Sequence, residues 1–331
     1  MPDTTHKVLP EHSGMRLDRF LQSFGPDRSR AFWQRQIEAG RVLVNGRREK
    51  AGYVLKPGQT VQVEPVKEMP PALKAAQGSD AGLPDWVVYL DEHLMVVNKP
   101  RGLVVHPSAG HWQDSLVHRL LPWLPHEEGE WRPGVVHRLD RDTSGLMVLA
   151  RHQKAREALS VAIQARQVTR QYVAVARGRL APEKGVIDAP LGRDPRQRLR
   201  MAVVYGGREA RTHYRTVARW PGMSLLALTL ETGRTHQIRV HLASLGHPVV
   251  GDPLYGGRLE PFRHGQLLHA GRLAFEHPVS KKRLAFTALP PSDWAQLAQF
   301  GAPEIAAPYV YAEGVEPTTP QWLSALSIPT L

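Results

Sequence analysis

Apolar positions follow two rhythms along the chain. Near the N-terminus, Leu17, Phe20, Leu21 and Phe24 recur at i, i+3, i+4 and i+7, one face of a helix. Ser29 stands as the N-cap of a second helix running to about Ala39, with Gly40 as its stop. Val42-Leu43-Val44 then meets Asn45-Gly46, a hairpin signal. After a turn at Lys56-Pro57-Gly58, Thr60–Glu64 alternates like a strand. Met69–Pro84 is rich in Pro, Ala, Gly and Ser and reads as a linker. The pattern predicts a small domain over residues 14–68, a linker over 69–84, a larger domain over 85–300 and a tail of unknown role over 301–331.

From Trp86 onward the apolar runs lengthen. Trp86–Leu90 and Leu94–Val97 flank the polar turn Asp91-Glu92-His93, a hairpin, and Asn98–Gly102 reads as a turn. Asp114–Leu124 predicts a helix, as do Ala155, Ala158, Leu159, Ala162 and Ile163 by their spacing. Leu146–Ala150 is unbroken apolar and predicts a fully buried strand. Tyr172–Ala176, Ser224–Leu230 and a last strand, Leu284–Ala288, follow, with a helix over Thr235–Leu245 stopped by Gly246. Many strands with few helices predict an α+β fold with a mixed, largely antiparallel sheet and flanking helices.

One polar cluster interrupts this pattern. His137, Arg138, Asp140, Arg141, Asp142, Thr143 and Ser144 stand directly before the buried run Leu146–Ala150. Unpaired charges are too costly to bury, so such a cluster belongs at a cleft or on the surface. Asp142, Thr143 and Ser144 read as a tight turn whose side chains bond their own backbone. Asp140 reads as a reactive carboxylate.

Charge and composition narrow the partners. Across 331 residues the formal net charge is +12, which favours a polyanion, nucleic acid first. Arg16, Arg19, Arg28, Arg30, Arg35, Arg41, Arg47 and Arg48 crowd the first small domain, and Arg193, Arg196, Arg198 and Arg200 share a loop. Cysteine is absent, which removes disulfides, thiolate metal sites and thiol nucleophiles. No apolar run approaches the ~18 residues of a membrane span and the start lacks a signal-peptide core, so a cytoplasmic protein without membrane partners is expected. There is no G-x-G-x-x-G, Walker A, H-E-x-x-H or G-x-S-x-G. His236 and His241 are five apart, point in different directions, and are expected to face RNA or cap a helix.

Three segments together resemble the RluA-type pseudouridine synthase family. They are His137-Arg138-Leu139-Asp140-Arg141-Asp142-Thr143-Ser144-Gly145, Thr169-Arg170-Gln171-Tyr172-Val173-Ala174, and Glu231-Thr232-Gly233-Arg234-Thr235-His236-Gln237-Ile238-Arg239-Val240-His241. Asn98-Lys99-Pro100 and Val249-Val250-Gly251-Asp252-Pro253-Leu254-Tyr255-Gly256 add to the likeness, which covers residues 85–290 in order. Met15-Arg16-Leu17-Asp18 through Gly40-Arg41-Val42-Leu43-Val44-Asn45-Gly46 resembles the S4 RNA-binding domain. An S4-like domain in front narrows the likeness to the RluD-like members acting on large-subunit (23S) ribosomal RNA. Gln171 stands where an acidic residue is common in the family, and is expected to face solvent.

The resemblance implies an isomerase that breaks the N1–C1′ bond of uridine and rejoins the base through C5, a reaction that needs no cofactor and no metal. It implies Asp140 as the catalytic carboxylate, acting as nucleophile at C1′ or as base for the 2′ hydrogen. Arg234 is carried over as the guanidinium that keeps Asp140 ionised. Tyr172 would stack on the detached uracil, Arg138 would enter the RNA beside the flipped base, and Ile238 would contact the substrate. Arg16, Arg28, Arg30, Arg41, Arg193, Arg196, Arg198 and Arg200 are expected to bind RNA. The implied partner is ribosomal RNA or the assembling large subunit, met by a monomer.

Other readings stay open on residues alone. A synthase acting on tRNA or another rRNA site is one, and a non-catalytic RNA binder is another, although the intact set of Asp140, Tyr172 and Arg234 argues against the latter. An N-glycosidase using Asp140 and Asp142 is a third, but its two carboxylates need roughly 5 Å or more between them.

Overall fold

The computed structural model describes residues 4–24, 30–38, 40–64, 82–107, 114–124, 133–197, 200–256, 262, 265–302 and 310–312. The chain packs as two compact units, Met1–Met69 and Pro70–Leu331. Of the linker reading over 69–84, residues 69–81 lie outside the described residues.

The first unit holds α1 (Leu17–Phe24) and α2 (Arg30–Glu38) with a sheet of β1 (Thr4–Lys7), β2 (Val42–Val44), β3 (Arg47–Arg48) and β4 (Thr60–Val63), in the order β1-β4-β2-β3. Leu17, Phe20 and Leu21 of α1 are buried as their spacing requires, while Phe24 lies half out and packs its ring on Phe20 and His12. Asn45 and Gly46 both take positive φ, the geometry of a type I′ hairpin turn. Asp18 is buried inside this basic unit and accepts from Arg16 (3.1 Å), Arg30 (2.9 Å) and Gln34 (2.7 Å). Burial would raise its pKa, but these donors prevail and hold it far below the carboxylate range.

The second unit is built on one large sheet. Its strands are β5 (Val87–Leu90), β6 (Leu94–Lys99), β7 (Ser144–Ala150), β8 (Thr169–Arg177), β9 (Lys184–Asp188), β12 (Arg211–Trp220), β13 (Met223–Leu230), β14 (Leu268–Glu276), β15 (Arg283–Ala288) and β16 (Val310–Ala312). Their order is β5-β6-β7-β14-β8-β13-β12-β9, with β15 beside β14 and β16 beside β15. Among the described strands every pairing is antiparallel except β7 with β14. A separate hairpin joins β10 (Leu191–Arg193) to β11 (Met201–Val203). Short α3 (Leu116–Leu120), α4 (Gln153–Gln164) and α5 (Gln237–Ser244) complete the unit. β7 is buried along its whole length because both faces are covered, which explains its lack of alternation. Leu146, Val148 and Ala150 pack with Leu94, Val96, Ala155, Leu159 and Phe275. Each buried Leu, Val or Phe side chain among them contributes about 1.5–3 kcal/mol.

The structure corrects several readings. Asn98 and Lys99 continue β6, and the turn is confined to residues 100–102. Gln171 is buried, because β8 is an interior strand between β14 and β13. His241 neither faces RNA nor caps a helix. It is buried, with Nδ1 on the Thr212 hydroxyl (2.9 Å) and Nε2 donating to the Ala189 carbonyl (3.0 Å). The strand over 284–288 is not the last, since β16 follows it, and Ser292–Phe300 forms a 3-10 helix that buries Trp294 and Leu297. Residues 193–197 and Arg200 lie at the tip of the β10–β11 hairpin, closed by Asp194 N–H on the Arg200 carbonyl (3.1 Å). Arg198 lies outside the described residues, as do Arg28 and Ser29.

Candidate active site

Asp140 rides on the loop that feeds β7, and unusual groups fix that loop. Lys99 is fully buried, and its ammonium donates to the carbonyls of Pro100 (2.9 Å), Leu103 (2.8 Å) and Arg141 (2.9 Å). Burial lowers its pKa to about 7, against the pull of Asp140 and Asp142. His137 accepts the Val148 N–H through Nε2 (3.1 Å). Burial, with the charge of Arg170, drives its pKa down to about 3, so it is a neutral acceptor. Gly145 sits at φ +114, where a Cβ would lie 2.4 Å from the Ala270 carbonyl oxygen, so no larger residue fits.

The side chains of this turn bond other side chains rather than their own backbone, contrary to the sequence reading. Asp142 pairs with the Arg141 guanidinium (3.0 and 2.9 Å), and Thr143 Oγ1 accepts from Gln266 (3.0 Å). Ser144 donates to His269 Nδ1 (2.9 Å), whose Nε2 donates to the Ala288 carbonyl (3.0 Å). Only a backbone bond, Thr143 N–H to the Asp140 carbonyl (3.1 Å), closes the turn locally.

The guanidinium on Asp140 belongs to Arg239, not Arg234. Arg239 Nη1 donates to Asp140 Oδ2 (2.9 Å), while its Nε and Nη2 grip Asp252 (2.7 and 3.0 Å). Asp252 is oriented by the N–H groups of Leu254 (2.9 Å) and Tyr255 (3.2 Å). The two carboxylates outweigh burial and keep Arg239 charged. Arg234 lies in the turn before α5 and donates to the Glu209 carbonyl (2.9 Å). α5 buries Gln237 to Leu242 on every side, so no polar stripe singled out Arg239. The signal that was available is Asp252, a lone carboxylate after the apolar pair Val249-Val250.

Tyr172 is buried on β8; burial raises its phenol, Arg170 opposes this, and the Asp140 charge raises it further. Ile238 is buried on α5. Arg138 is exposed and donates to His106 Nε2 (3.1 Å). Sequence reading expected His236 to face RNA or cap a helix, and it stands at the N-cap of α5 with no side-chain cap bond; Tyr255 was given no role. His236 places Nε2 3.9 Å from Asp140 Oδ1 and Nδ1 2.9 Å from the Tyr255 hydroxyl. Of the arginines expected on RNA, Arg16 and Arg30 are engaged by Asp18, and Arg41 donates to Gln36 (3.3 Å). Arg193 and Arg196 are exposed on the hairpin, and Arg200 lies over the Tyr255 ring. A cleft of about 640 Å³ lined by Trp86, Lys99, Arg101, Ser144, His269 and Asp293 does not include Asp140. Among the described residues no three His, Asp or Glu side chains are grouped to hold a metal ion, and no helix is long and apolar enough to cross a membrane. Chemically, the arrangement is a partly exposed carboxylate with one oxygen on a fixed cation and the His236 ring 3.9 Å from the other. It suits attack on, or proton removal from, a sugar carbon.

Residues 93–244 match the family described as RNA pseudouridylate synthase, and residues 15–61 match the S4 domain. An uncharacterized RNA pseudouridine synthase of Chloroflexus aurantiacus is 50% identical over 289 residues, covering 86% of this chain and 90% of that one. The chain belongs to the RNA pseudouridine synthase family. Another relative is a ribosomal large subunit pseudouridine synthase D of Escherichia coli O157:H7, 39% identical over 309 residues, with 89% of this chain and 93% of that one covered. Among solved structures, human RNA Pseudouridylate Synthase Domain Containing 4 superposes with a TM-score of 0.52 at 26% identity, covering 70% of this chain and 97% of that one. The synthase match contains Asp140, Tyr172, Arg234 and Arg239 but stops short of Asp252 and Tyr255, which the folded geometry brings to the site.

Proposed function

We propose that this pseudouridine synthase isomerises uridines of large-subunit (23S) ribosomal RNA, with Asp140 as the catalytic residue. The observation that carries the reading is the Arg239-bound, partly exposed Asp140 carboxylate on a loop locked by Lys99 and His137. Full-length similarity to proteins named ribosomal large subunit pseudouridine synthase D supports the choice of RNA. The net charge of +12 supports a polyanionic partner, ribosomal RNA or the assembling subunit, met by a monomer in the cytoplasm.

The chemistry balances without an oxidant. The N1–C1′ bond breaks, the base turns, C5 bonds to C1′, the C5 proton leaves and N1 gains one. Asp140 acts on the sugar, as nucleophile at C1′ or as base at C2′, while Arg239 holds its other oxygen. Tyr172 offers the uracil a ring face, with stacking worth about 1–3 kcal/mol. Ile238 forms an apolar wall. Arg138, exposed on the Asp140 loop, occupies the space left by the flipped base, which costs a few kcal/mol to extrude. Arg234 and the hairpin arginines contact phosphates. Carbodiimide primer-extension mapping of rRNA from cells lacking this protein tests the reading. Specific stops should vanish, and return with the wild-type chain but not with Asp140→Asn. An unchanged stop pattern in large-subunit rRNA overturns it.

A further inference from the structure

A line of contacts runs from the basic hairpin into the site. Met201 opens β11, and its N–H donates to the Tyr255 hydroxyl at 3.0 Å. The Arg200 guanidinium lies 5.0 Å from the centre of the Tyr255 ring, and that of Arg239 lies 5.1 Å from it. Leu191 of β10 and Met201 pack with Val240, Ala243 and Tyr255 in one apolar cluster, so hairpin and α5 form a single packed piece. Tyr255 meets His236 at 2.9 Å, and the far nitrogen of that ring faces Asp140 at 3.9 Å. His236 holds a left-handed backbone, φ 57, uncommon for a residue with a Cβ.

Proton positions follow from the partners. The Tyr255 oxygen accepts from Met201, which leaves its own proton for His236 Nδ1. The His236 proton then sits on Nε2, facing the Asp140 carboxylate; the opposite tautomer would set a lone pair against it. Burial lowers the His236 pKa, Asp140 and Asp252 oppose this, and Arg239 and Arg138 reinforce it, so the ring is neutral at pH 7.

We propose that Tyr255 and His236 are positioning residues that couple the hairpin's grip on RNA to the aim of Asp140. Tyr255 fixes the Nε2–H tautomer of His236, which donates to Asp140 Oδ1 while Arg239 holds Oδ2. This inference rests on the role given to Asp140 above. At 3.9 Å the donor stands just beyond hydrogen-bond reach. RNA that seats β10–β11 squarely moves Tyr255 and His236 the remaining distance, and RNA that does not leaves Asp140 with one donor. Recognition thereby acts on rate as well as on affinity. His236 is faced by Asp140 and Arg138 from the loop before β7, by Arg239 from α5, and by Asp252 and Tyr255 from the segment after α5. A pH effect at this ring is therefore read by replacing the ring itself.

The test uses the full chain and transcribed large-subunit rRNA, with Kd and single-turnover rate at saturating enzyme measured across pH. Tyr255→Phe keeps the ring between two guanidiniums and should slow turnover about ten-fold with Kd within about two-fold. His236→Ala should lose at least as much. His236→Gln, which returns an N–H near the Nε2 position, should recover most of that loss. Rates and pH profiles unchanged in Tyr255→Phe and His236→Ala overturn the coupling. So does a loss that merely follows melting temperature, with His236→Gln no better than His236→Ala. In each of those outcomes the wild-type chain turns over. A wild-type chain that binds this RNA yet forms no pseudouridine in it overturns the functional reading, and this inference with it.

Discussion

β7 has a polar cluster at each end, and the two are opposites. At its C-terminal end Asp91 accepts the N–H groups of His93 and Leu94 (both 2.8 Å), the Tyr89 hydroxyl (2.7 Å) and His277 Nε2 (2.9 Å). The histidines there are equally committed. His152 takes the Ala155 N–H and meets His93 at 2.9 Å, while His277 takes the N–H groups of Val279 and Ser280. At the N-terminal end Asp140 receives Arg239, with His236 still 3.9 Å away. Asp91 has spent its lone pairs and is a clamp. Asp140 has one oxygen fixed and the other in reserve, on a loop whose rigidity comes from Lys99 and His137. A carboxylate becomes available for chemistry when the structure around it is satisfied by other groups.

The sharpest way to break this comparison is to neutralise both carboxylates. Asp140→Asn should bring pseudouridine formation to background while shifting stability by no more than about 1 kcal/mol, because Arg239 keeps Asp252. Asp91→Asn should cost about 2–3 kcal/mol, since it sets an amide among donors, yet turn over normally wherever it is folded. Melting curves and single-turnover assays on both variants check this. Turnover in Asp140→Asn, or its loss in folded Asp91→Asn, would reverse the two assignments.

Next in size is the choice of arginine. Arg239→Gln strips the cation from two carboxylates, one of them fully buried, and should cost about 3–5 kcal/mol along with activity. Arg234→Gln removes only a bond to a carbonyl in an exposed turn and should stay within about 0.5 kcal/mol, weakening RNA binding mildly. Denaturant midpoints and Kd on the same RNA separate them.

A smaller effect lies in the pH dependence of stability. Burial would raise the Asp91 pKa, but bonds from Tyr89, Leu94, His93 and His277 lower it overall. A carboxylate depressed in the folded state stabilises fully above its unfolded value of ~3.9 and loses that contribution as pH falls through the folded value. Melting temperature should therefore fall below about pH 4, and fall less steeply in Asp91→Asn. An identical slope in the variant would place the acid sensitivity elsewhere.

How much of this was legible depends on whether the folding signal was local. α1 and β7 were readable because each buries a set of neighbours in sequence, at a period of 3.6 or in an unbroken run. Lys99 was read as part of a turn because nothing in its surroundings announces three carbonyls, one of them 42 residues away. His241 finds its partners 29 and 52 residues away, and Gln171 sits inside a sheet whose neighbouring strands come later in the chain. Asp140 was legible from its motif, but its guanidinium was not. Arg234 and Arg239 share one segment, and only the start of α5 at Gln237 sends one inward and leaves the other in the turn.

The same division between spent and unspent groups extends to the arginines, where the expected effect is smallest. Arg16 and Arg30 are about two-fifths exposed, but each gives its guanidinium to the buried Asp18. One carboxylate offsets half of their combined charge and holds both guanidiniums in place, so each should add less than a full phosphate contact to the release of counterions from RNA. Arg196 is exposed at the hairpin tip, where Asp194 Oδ1 takes its backbone N–H at 2.8 Å. A phosphate contact there should contribute a slope of about 0.7–0.9 in log Kd against log salt. Arg196→Gln should therefore flatten the slope by nearly that amount and leave melting unchanged. Arg16→Gln should flatten it much less, yet lower the melting temperature of the first unit, because Asp18 keeps Arg30 and Gln34 but loses a charged donor. Binding isotherms at four or five salt concentrations, set beside melting curves, resolve the two. Equal slope changes would mean that Arg16 leaves Asp18 for phosphate when RNA binds, and the division would then hold for the carboxylates alone.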